Sequence, residues 1–382
     1  MFTSDLKLIL VNIFHRHGER TPLKGYDKPI GRYELCKEVD GYNLFIKKSP
    51  KSSFSIFIDK ISNIFNPMRI KSSAIFKYSY IPPKNSECAP GQLTDFGKNT
   101  LYQFGKKLNK DYIGTNFLSH NYSNKDINLV STEFQRTIES LQWLILGMFK
   151  SIKKPIEINI QRKGLNGAYA SNYFEDFKSA RIKHRKAILE SRKKDIKTVS
   201  NYFNDFLIKF TGNKNFKITG IYEIFDIIMC SGGNKRGLFN SFNTNMYNIA
   251  EEICIDMFFG LLKNKKHFSV YAGDLISDLC QKISKKIINP SENPKMYIFS
   301  GHDTTIFPIL HIFGLSNNEW PKFGANIIFE TFMSKEQKYY IRIKYNDQIL
   351  SIPRCKKHYN RDKSFCEIKD FFDICKSYTS GN

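Results

Sequence analysis

The sequence lacks several features that would place it in a class at once. No apolar run approaches the ~20 residues that a membrane-spanning helix needs. No HExxH or paired CxxC spacing marks a metal site, and no internal repeat is evident. The N-terminus carries neither the charged segment nor the cleavage site of a signal peptide. These absences predict a protein with no membrane span, no signal peptide and no resident metal.

Acidic residues are scarce relative to basic ones: 36 Asp and Glu stand against 59 Lys and Arg, a net charge of +23. This excess has two interpretations. It forms a surface for a polyanion such as nucleic acid, a phosphorylated ligand or an acidic glycan. Alternatively, it is a compositional bias, since lysine accompanies many Asn, Ile, Phe and Tyr residues, as in an AT-rich coding sequence. Hydrophobic residues make up 41% of the chain, which indicates a globular protein.

The eight cysteines leave the compartment open. They suit either a secreted disulfide framework or a set of buried thiols in a long chain. One glycosylation sequon, which begins at Asn121, favours a secretory route.

What the sequence does contain is most evident in residues 8–22, LILVNIFHRHGERTP. The apolar, β-branched run Leu6–Phe14 predicts a strand that is buried on both faces. It ends abruptly in histidine, arginine and proline. The segments 127–132 and 295–300 predict two further strands, and the second of these stops at GHDTT.

Helical periodicity lies between these strands. It predicts a helix over Asp95–Tyr112 and another from Glu133 to about Phe149. Residues 179–197 predict a single amphipathic, basic helix with a solvated polar face. Near the C-terminus, alternating residues at 325–333 and 338–346 predict an antiparallel pair of strands.

The order of these elements predicts the α/β fold class. We expect a Rossmann-like, mostly parallel sheet flanked by helices, formed by residues 1–160 and 266–382 with an irregular insertion at 30–90. Residues 161–265 are expected to form an inserted helical cap domain that selects the substrate.

Polar clusters follow three predicted strands, at residues 16–20, 135–137 and 301–303. Ligands of open α/β sheets bind outside the carboxyl ends of the strands, so these clusters are expected to share one pocket. Three arginines in one pocket repel one another unless an anion lies between them, and the planar guanidinium suits phosphate oxygens. The arginines concerned are Arg16, Arg20 and Arg136. The sequence therefore predicts a phosphate site.

Two further residues turn this site from binding to catalysis. A neutral His17 imidazole can attack phosphorus and form a phosphohistidine. Asp303 can protonate the leaving alkoxide and then help to activate water. His302 and the arginines would stabilise charge on the transferring phosphoryl group, and the scheme requires no metal.

Arg136 and several histidines also have structural interpretations. Arg136 stands at a helix start, where it has an alternative partner in Glu133 or Glu139. His15 is expected on the opposite face of the strand, with no role. The remaining histidines are expected on the surface or in packing positions: His120, His184, His267, His311 and His358.

With these motifs in place, the chain resembles the histidine acid phosphatases, the second branch of the histidine phosphatase superfamily. The resemblance rests on RHGERTP (16–22), GQLTDFG (91–97), STEFQRTIES (131–140) and SGHDTT (300–305), which occur in the family's order. It implies an α/β core with a helical cap and the hydrolysis of phosphate monoesters at acidic pH. It also implies that His17 is the nucleophile and Asp303 the proton donor. The implied phosphate ligands are Arg16, Arg20, Arg136 and His302.

The resemblance extends to finer features. ECAPGQLTDFG, EWPKFGANIIFE and YYIRIKYNDQ look closest to the lysosomal or prostatic acid phosphatases and to 2-phosphoxylose phosphatase-like members. The tail resembles the short disulfide loop of these proteins, which implies a Cys355–Cys366 bridge, with Cys36 and Cys88 as a second candidate pair. Where relatives bridge the cap to a late strand, Cys230 fits one half, but Asn326 stands at the other.

The resemblance also bears on partners and location. It implies no cofactor, and a small phosphorylated substrate such as a phosphorylated sugar or glycan, with no nucleic acid. A dimer is compatible with the family, although the sequence leaves the oligomeric state open. The family is mostly secreted or lysosomal, which conflicts with the missing signal peptide and leaves the location unknown.

Three rival functions differ from an acid phosphatase in what they predict. A phytase-like enzyme would prefer inositol polyphosphates, for which the basic cap is useful. A mutase of the other branch is disfavoured by the His-Asp pair at 302–303. A basic polyanion-binding protein with a relict pocket would bind in a salt-sensitive manner without turnover. For the phosphatase, activity should peak on the acidic side, since Asp303 must be protonated while His17 is neutral.

Overall fold

The computed structural model describes residues 5–23, 72–73, 90–150, 152, 156–161, 174–211, 217–230 and 242–379. Most of the insertion expected at 30–90, together with Cys36, Cys88 and the glycine-rich residues 231–237, lies outside these ranges.

One mixed sheet organises the described residues. Its strands are β1 Leu6–Arg16, β2 Ser72–Ser73, β3 Ile127–Thr132, β4 Ile158–Gln161, β5 Met296–Gly301, β6 Asn326–Ser334, β7 Tyr339–Tyr345, β8 Gln348–Leu350, β9 His358–Tyr359 and β10 Asp362–Glu367. They are ordered β2-β4-β3-β5-β1-β6-β7-β10-β9, with β8 beside β7. The centre, β4-β3-β5-β1, is parallel, and antiparallel strands extend it on both sides. The predicted α/β fold class is confirmed, as are its three first strands and its antiparallel pair.

Helices cover the sheet. The α-helices are α1 Asp95–Leu108, α2 Gln135–Met148, α3 Glu175–Ser191, α4 Lys193–Thr211, α5 Ile221–Cys230, α6 Thr244–Phe259, α7 Lys265–Phe268, α8 Asp274–Ile288, α9 Asp303–Ile312 and α10 Ile368–Thr379. Two π-helices, Asn109–Ile113 and Ser269–Gly273, and the 3-10 helix Gly260–Lys263 continue neighbouring helices. No helix of the described ranges is long and apolar enough to cross a membrane.

Strand β1 is buried on both of its faces, as its apolar run predicts. Leu10 and Phe14 contribute to the larger hydrophobic core, which includes α5, α6 and α8. Val11 and Ile13 contribute to the second core, with α1 and α2. Alternate residues of one strand therefore join the two sides of the protein, and its carboxyl end is held rigidly between them.

Two predicted helices differ from the structure. The basic segment 179–197 is not one helix, because α3 ends at Ser191 and α4 begins at Lys193. Between them, Arg192 lies 2.7 Å from Asp195 and 3.2 Å from Glu252 of α6, so tertiary ion pairs compete with helix continuation. The helix that starts at Asp95 ends as an α-helix at Leu108 and continues as a π-helix. The boundaries of the cap at 161 and 265 stay a prediction.

Candidate active site

The sheet brings the three polar clusters to one edge. Strands β1 and β5 run parallel, with Arg16 in register with Gly301, and β3 lies on the other side of β5. His17 donates its backbone N–H to the Gly301 carbonyl at 2.9 Å. The rings of His17 and His302 consequently meet edge to face, with centroids 5.4 Å apart. The carboxyl ends of β1, β3 and β5 therefore lie side by side, with His17 and His302 in contact.

His17 is buried and held in one tautomer. Its Nδ1 lies 2.8 Å from the Gly18 carbonyl oxygen, which can only accept, so Nδ1 carries the proton and Nε2 keeps its lone pair. Burial, followed by the charges of Arg136 and Arg16, lowers the pKa of His17 well below 6.5. The ring is therefore neutral even in mildly acidic solution, which is the state that a nucleophile requires.

His302 is fixed from two sides. Its backbone N–H donates to Thr305 Oγ1 at 3.1 Å at the start of α9, and its ring Nε2 lies 3.0 Å from Thr132 Oγ1 at the end of β3. Burial, followed by the charges of Arg136 and Arg16, lowers its pKa well below 6.5 as well. The second imidazole is therefore also neutral, and it ties the ends of β3 and β5 together.

Arg16 is fully buried, with its charge next to Asp303. Its Nη2 lies 2.8 Å from Asp303 Oδ2, while its Nη1 donates to the Pro321 carbonyl. The Phe323 ring lies 4.1 Å from the guanidinium carbon. The buried Nε of Arg16 makes no hydrogen bond within the described residues, whereas Nη2 is paired with Asp303. Buried donors without a protein acceptor are costly, and they are what an anion would satisfy.

Arg20 is oriented by a residue that sequence reasoning missed. Asp226 of α5 accepts from Arg20 Nη2 at 2.7 Å and from the backbone N–H of Leu23 at 2.9 Å. Cys230 Sγ lies 3.2 Å from Arg20 Nη1. Burial alone lowers the pKa of Arg20, but its interactions with Cys230 and Asp226 outweigh burial and raise it. No local signal singles out Asp226, because it lies 206 residues from Arg20 on an apolar helix.

Arg136 lies at the start of α2, with its guanidinium carbon 4.5 Å from the Phe134 ring. Phe134 also meets His302 edge to face, with ring centroids 5.0 Å apart. The charge of Arg136 comes directly after burial among the causes that lower the pKa of both histidines. This arginine therefore faces the imidazoles, as the phosphate-site prediction requires. The alternative partner Glu139 accepts from Gln135 at 2.8 Å.

The carboxyl of Asp303 has three neighbours. Its Oδ1 accepts the Thr304 backbone N–H at 2.8 Å, and its Oδ2 accepts the Trp320 indole N–H at 3.1 Å in addition to the Arg16 contact. Its side chain is 14% exposed. Sequence reasoning missed both Trp320 and Phe323, because their only signal is the short segment EWPKF between a helix and a strand.

The motif GQLTDFG gains a structural role here. Thr94 caps α1 through its hydroxyl, and Leu93 forms an isolated antiparallel bridge with Arg20. The backbone crosses itself closely at this point: a Cβ on Gly18 would lie 2.5 Å from the Gly97 carbonyl oxygen. A Cβ on Gly97 would lie 2.2 Å from the Glu19 carbonyl oxygen. Glycine at both positions therefore allows α1 to support the loop that carries His17 and Arg20.

Apart from Cys230, the remaining predicted positions lie outside this cluster. Cys355 and Cys366 form a disulfide, as the resemblance implied. Cys230, which contacts Arg20 within the cluster, is a free, buried thiol. His15 is buried, with its Nδ1 3.1 Å from the Arg16 carbonyl oxygen. None of the other five histidines is buried.

Comparison of the sequence with known proteins identifies a phosphatase family and named phosphatase relatives. The sequence matches the family described as "Histidine phosphatase superfamily (branch 2)" over residues 7–346. Lysophosphatidic acid phosphatase type 6 of Mus musculus is 23% identical, over 89% of this chain and 79% of that protein. Prostatic acid phosphatase of Bos taurus is 21% identical, over 69% and 72% of the two chains. 2-Phosphoxylose phosphatase 1 of Homo sapiens is 23% identical, over 97% of this chain and 77% of that protein.

A solved structure supports the fold. The multiple inositol polyphosphate phosphatase of Bifidobacterium longum, in complex with phosphate, has a TM-score of 0.61. The match covers 99% of this chain and 94% of that one at 12% identity. A likeness at this identity shows the α/β architecture alone. The resemblance predicted from the motifs is confirmed by the family match and the named phosphatase relatives.

Proposed function

Since the chain belongs to branch 2 of the histidine phosphatase superfamily, we propose that this phosphatase hydrolyses phosphate monoesters through His17. One observation carries the proposal. The ring of His17 is neutral, its Nδ1 proton is committed to the Gly18 carbonyl, and buried arginines surround it. A lone pair among fixed positive charges fits attack on a phosphoryl group and little else.

In the first step, His17 Nε2 forms a bond to phosphorus while the bond from phosphorus to the ester oxygen breaks. Asp303 delivers its proton to the leaving oxygen, so that an alcohol departs. In the second step, a water oxygen forms a bond to phosphorus while the bond from phosphorus to His17 Nε2 breaks; the water gives a proton to Asp303, and inorganic phosphate leaves. Asp303 ends as it began, and both steps balance without an added reagent.

The arginines and His302 act on the phosphoryl oxygens. Arg16, Arg20 and Arg136 neutralise the charge that collects on those oxygens, and His302 donates a hydrogen bond. The unsatisfied buried Nε of Arg16 supports this role. Asp226 holds Arg20 in place and keeps its charge. Binding therefore uses donors that folding has already oriented, so little of the interaction is lost to reorganisation.

We propose small phosphorylated compounds as substrates, among them phosphorylated sugars and glycans, and assign substrate selection to a helical cap at 161–265. The name of one relative, 2-phosphoxylose phosphatase 1, supports a phosphorylated sugar. Another relative is named for lysophosphatidic acid. A panel of p-nitrophenyl phosphate, sugar phosphates, lysophosphatidic acid and inositol hexakisphosphate tests this choice. Preference for the last compound would favour the phytase-like alternative.

The experiment that tests the mechanism compares wild type with His17→Ala and Asp303→Ala, using p-nitrophenyl phosphate in the presence of EDTA. His120→Ala, at an exposed histidine, is the matched control. We expect wild type and the control to turn over, and His17→Ala to lose at least about 10³-fold in kcat. Samples stopped with alkali should show an acid-labile, base-stable phosphoryl group on wild type and on the control, but none on His17→Ala.

Two outcomes would overturn the proposal. Wild type that is inert between about pH 4 and 7 would show that the pocket only binds. His17→Ala that retains its rate would show that another group attacks phosphorus. If binding of a polyanion such as heparin is tight and salt-sensitive in either case, the relict-pocket alternative gains support.

A further inference from the structure

A short segment between α9 and β6 contacts two charged groups of the site at once. The Trp320 indole N–H donates to Asp303 Oδ2 at 3.1 Å. The next residue, Pro321, accepts from Arg16 through its carbonyl, and the Phe323 ring lies 4.1 Å from the Arg16 guanidinium. Residues 320–323 therefore hold the acid and the innermost arginine relative to each other.

Trp320 is itself held rigidly. Only 3% of it is exposed, and its ring packs against Phe259 and Phe225 with centroids 5.2 and 5.3 Å away. Its backbone N–H donates to Glu251 Oε1 of α6 at 3.0 Å, and Tyr247 also donates to that oxygen. A side chain packed in this way keeps its N–H at one point in space. Asp303 therefore receives a hydrogen bond from a donor whose position is fixed by packing.

The two oxygens of Asp303 are not equivalent in this arrangement. Oδ2 lies 2.8 Å from the Arg16 guanidinium and accepts the indole N–H, so two positively polarised groups disfavour a proton there. Oδ1 accepts only the Thr304 backbone N–H among the contacts that surround it. It retains a second lone pair, which can bear the proton. The acid proton is thereby directed to Oδ1.

We propose that Trp320 is a positioning residue for the general acid: its indole N–H fixes Asp303 so that the transferable proton sits on Oδ1, towards the leaving oxygen. This inference rests on the proposed function, because it assigns a partner to the acid of that mechanism. In the step itself, the Oδ1–H bond breaks as the ester oxygen leaves phosphorus. The resulting charge stays on a carboxylate that Trp320 and Arg16 stabilise.

The test replaces the donor and keeps the ring. Trp320→Phe retains an aromatic side chain in the Phe225 and Phe259 environment but removes the N–H. A poor leaving group needs the acid and a good one does not, so the loss should depend on the substrate. We expect kcat to fall about 10²-fold for glycerol 2-phosphate and less than about 3-fold for p-nitrophenyl phosphate.

A matched control variant and a double-mutant cycle distinguish the positioning of Asp303 by Trp320 from a general effect on packing. Phe258→Leu trims a ring 5.6 Å from Trp320 without touching Asp303, and it should affect both substrates equally. In the Asp303→Asn background, Trp320→Phe should have no further effect on glycerol 2-phosphate. An equal loss on both substrates, or a further loss in that background, would overturn the proposal.

A second measurement does not depend on turnover. The chain has two tryptophans, so an ¹H–¹⁵N spectrum shows two indole signals, with Trp143 on α2 as an internal reference. Asp303→Asn should move the Trp320 signal, identified by its loss in Trp320→Phe, and leave that of Trp143 in place. A Trp320 signal that does not move would overturn the inference even if His17 proves to be the nucleophile. If His17→Ala instead keeps its rate, the proposed function fails, whatever the indole signal does.

Discussion

Two clusters of buried charge lie in this protein, and they are built in opposite ways. On the antiparallel side of the sheet, Glu330 is fully buried and accepts from Arg342 at 2.6 Å, Lys344 at 2.8 Å and the Tyr112 hydroxyl at 2.8 Å. Burial alone would raise the pKa of Glu330, but the charges of Arg342 and Lys344 outweigh it and lower the pKa. The carboxylate has enough donors to satisfy its oxygens.

At the candidate site the balance is reversed. Three arginines face the two carboxylates Asp226 and Asp303, and buried nitrogens of Arg16 and Arg20 make no hydrogen bond within the described residues. Both clusters are largely buried, and both are held by the same sheet. The difference teaches that burial alone does not mark a functional site, whereas buried donors in excess of acceptors do. The predictions below test this contrast, beginning with the largest effect.

The first prediction concerns the excess of positive charge. Arg16→Ala should lower kcat/KM for p-nitrophenyl phosphate by about 10³-fold or more, because it removes charge stabilisation from the transferring phosphoryl group. The free energy of unfolding should fall by less than when the Glu330 cluster is broken, since the loss of the Asp303 ion pair is partly offset by removal of a cation whose Nε is unsatisfied. Steady-state kinetics and urea unfolding measure the two quantities. A large loss of stability with unchanged kcat/KM would make Arg16 a structural residue like Arg342.

The second prediction concerns the satisfied cluster. Glu330→Gln should lower the free energy of unfolding by about 3 kcal/mol or more, because it leaves the cations of Arg342 and Lys344 buried without a counter-charge. KM for p-nitrophenyl phosphate should not change. Urea unfolding with parallel kinetics checks both values, and Lys335→Gln, at an exposed ion pair with Asp5, is a control that should cost little. A rise in KM would contradict the separation of the two clusters.

The third prediction concerns an anion that supplies acceptors to the buried arginines. A phosphate analogue such as tungstate should raise the melting temperature of wild type, with a gain of about 2.7 kcal/mol at a concentration one hundred times its Kd. In Arg16→Ala the gain should be much smaller, whereas Glu330→Gln should keep it. Thermal melts across a tungstate series measure this. Equal stabilisation of all three proteins would mean that the anion binds elsewhere.

The fourth prediction uses pH. The folded pKa of His17 and of His302 lies below 6.5. The unfolded chain therefore binds protons first, and stability present above pH 6.5 is lost as the pH falls below it, by about 1.4 kcal/mol per unit for each histidine. His17→Ala should show a shallower decline between about pH 6.5 and 5. Glu330→Gln should alter only the decline below about pH 4.5, where the unfolded carboxyl takes up its proton before the folded one.

The centre of the fold, and the proximity of the polar clusters that follow its strands, could be predicted from the sequence. The strands that carry His17 and His302 are short apolar runs with a single interpretation, and parallel strands necessarily bring their carboxyl ends together. Arg136 follows from the same rule. Candidate site residues can therefore be located from the sequence where they directly follow a parallel strand.

The supporting residues were not predictable in this way. Asp226 lies on a mostly apolar helix, and its partner Arg20 is 206 positions away. Trp320 and Phe323 lie in a connecting segment with no periodicity. The break at Arg192 depends on Glu252 of another helix. Such contacts are set by tertiary packing, to which local propensity contributes little.

The crossing of Gly18 and Gly97 limits how this protein can diversify. Each missing Cβ would meet a carbonyl oxygen of the main chain rather than the end of a side chain, so no second substitution nearby can make room for it. A library designed for new substrates should leave both positions unrandomised and place its diversity on the helices between β4 and β5. Descendants of this chain can then explore new specificities, while the loop that carries His17 and Arg20 keeps its shape.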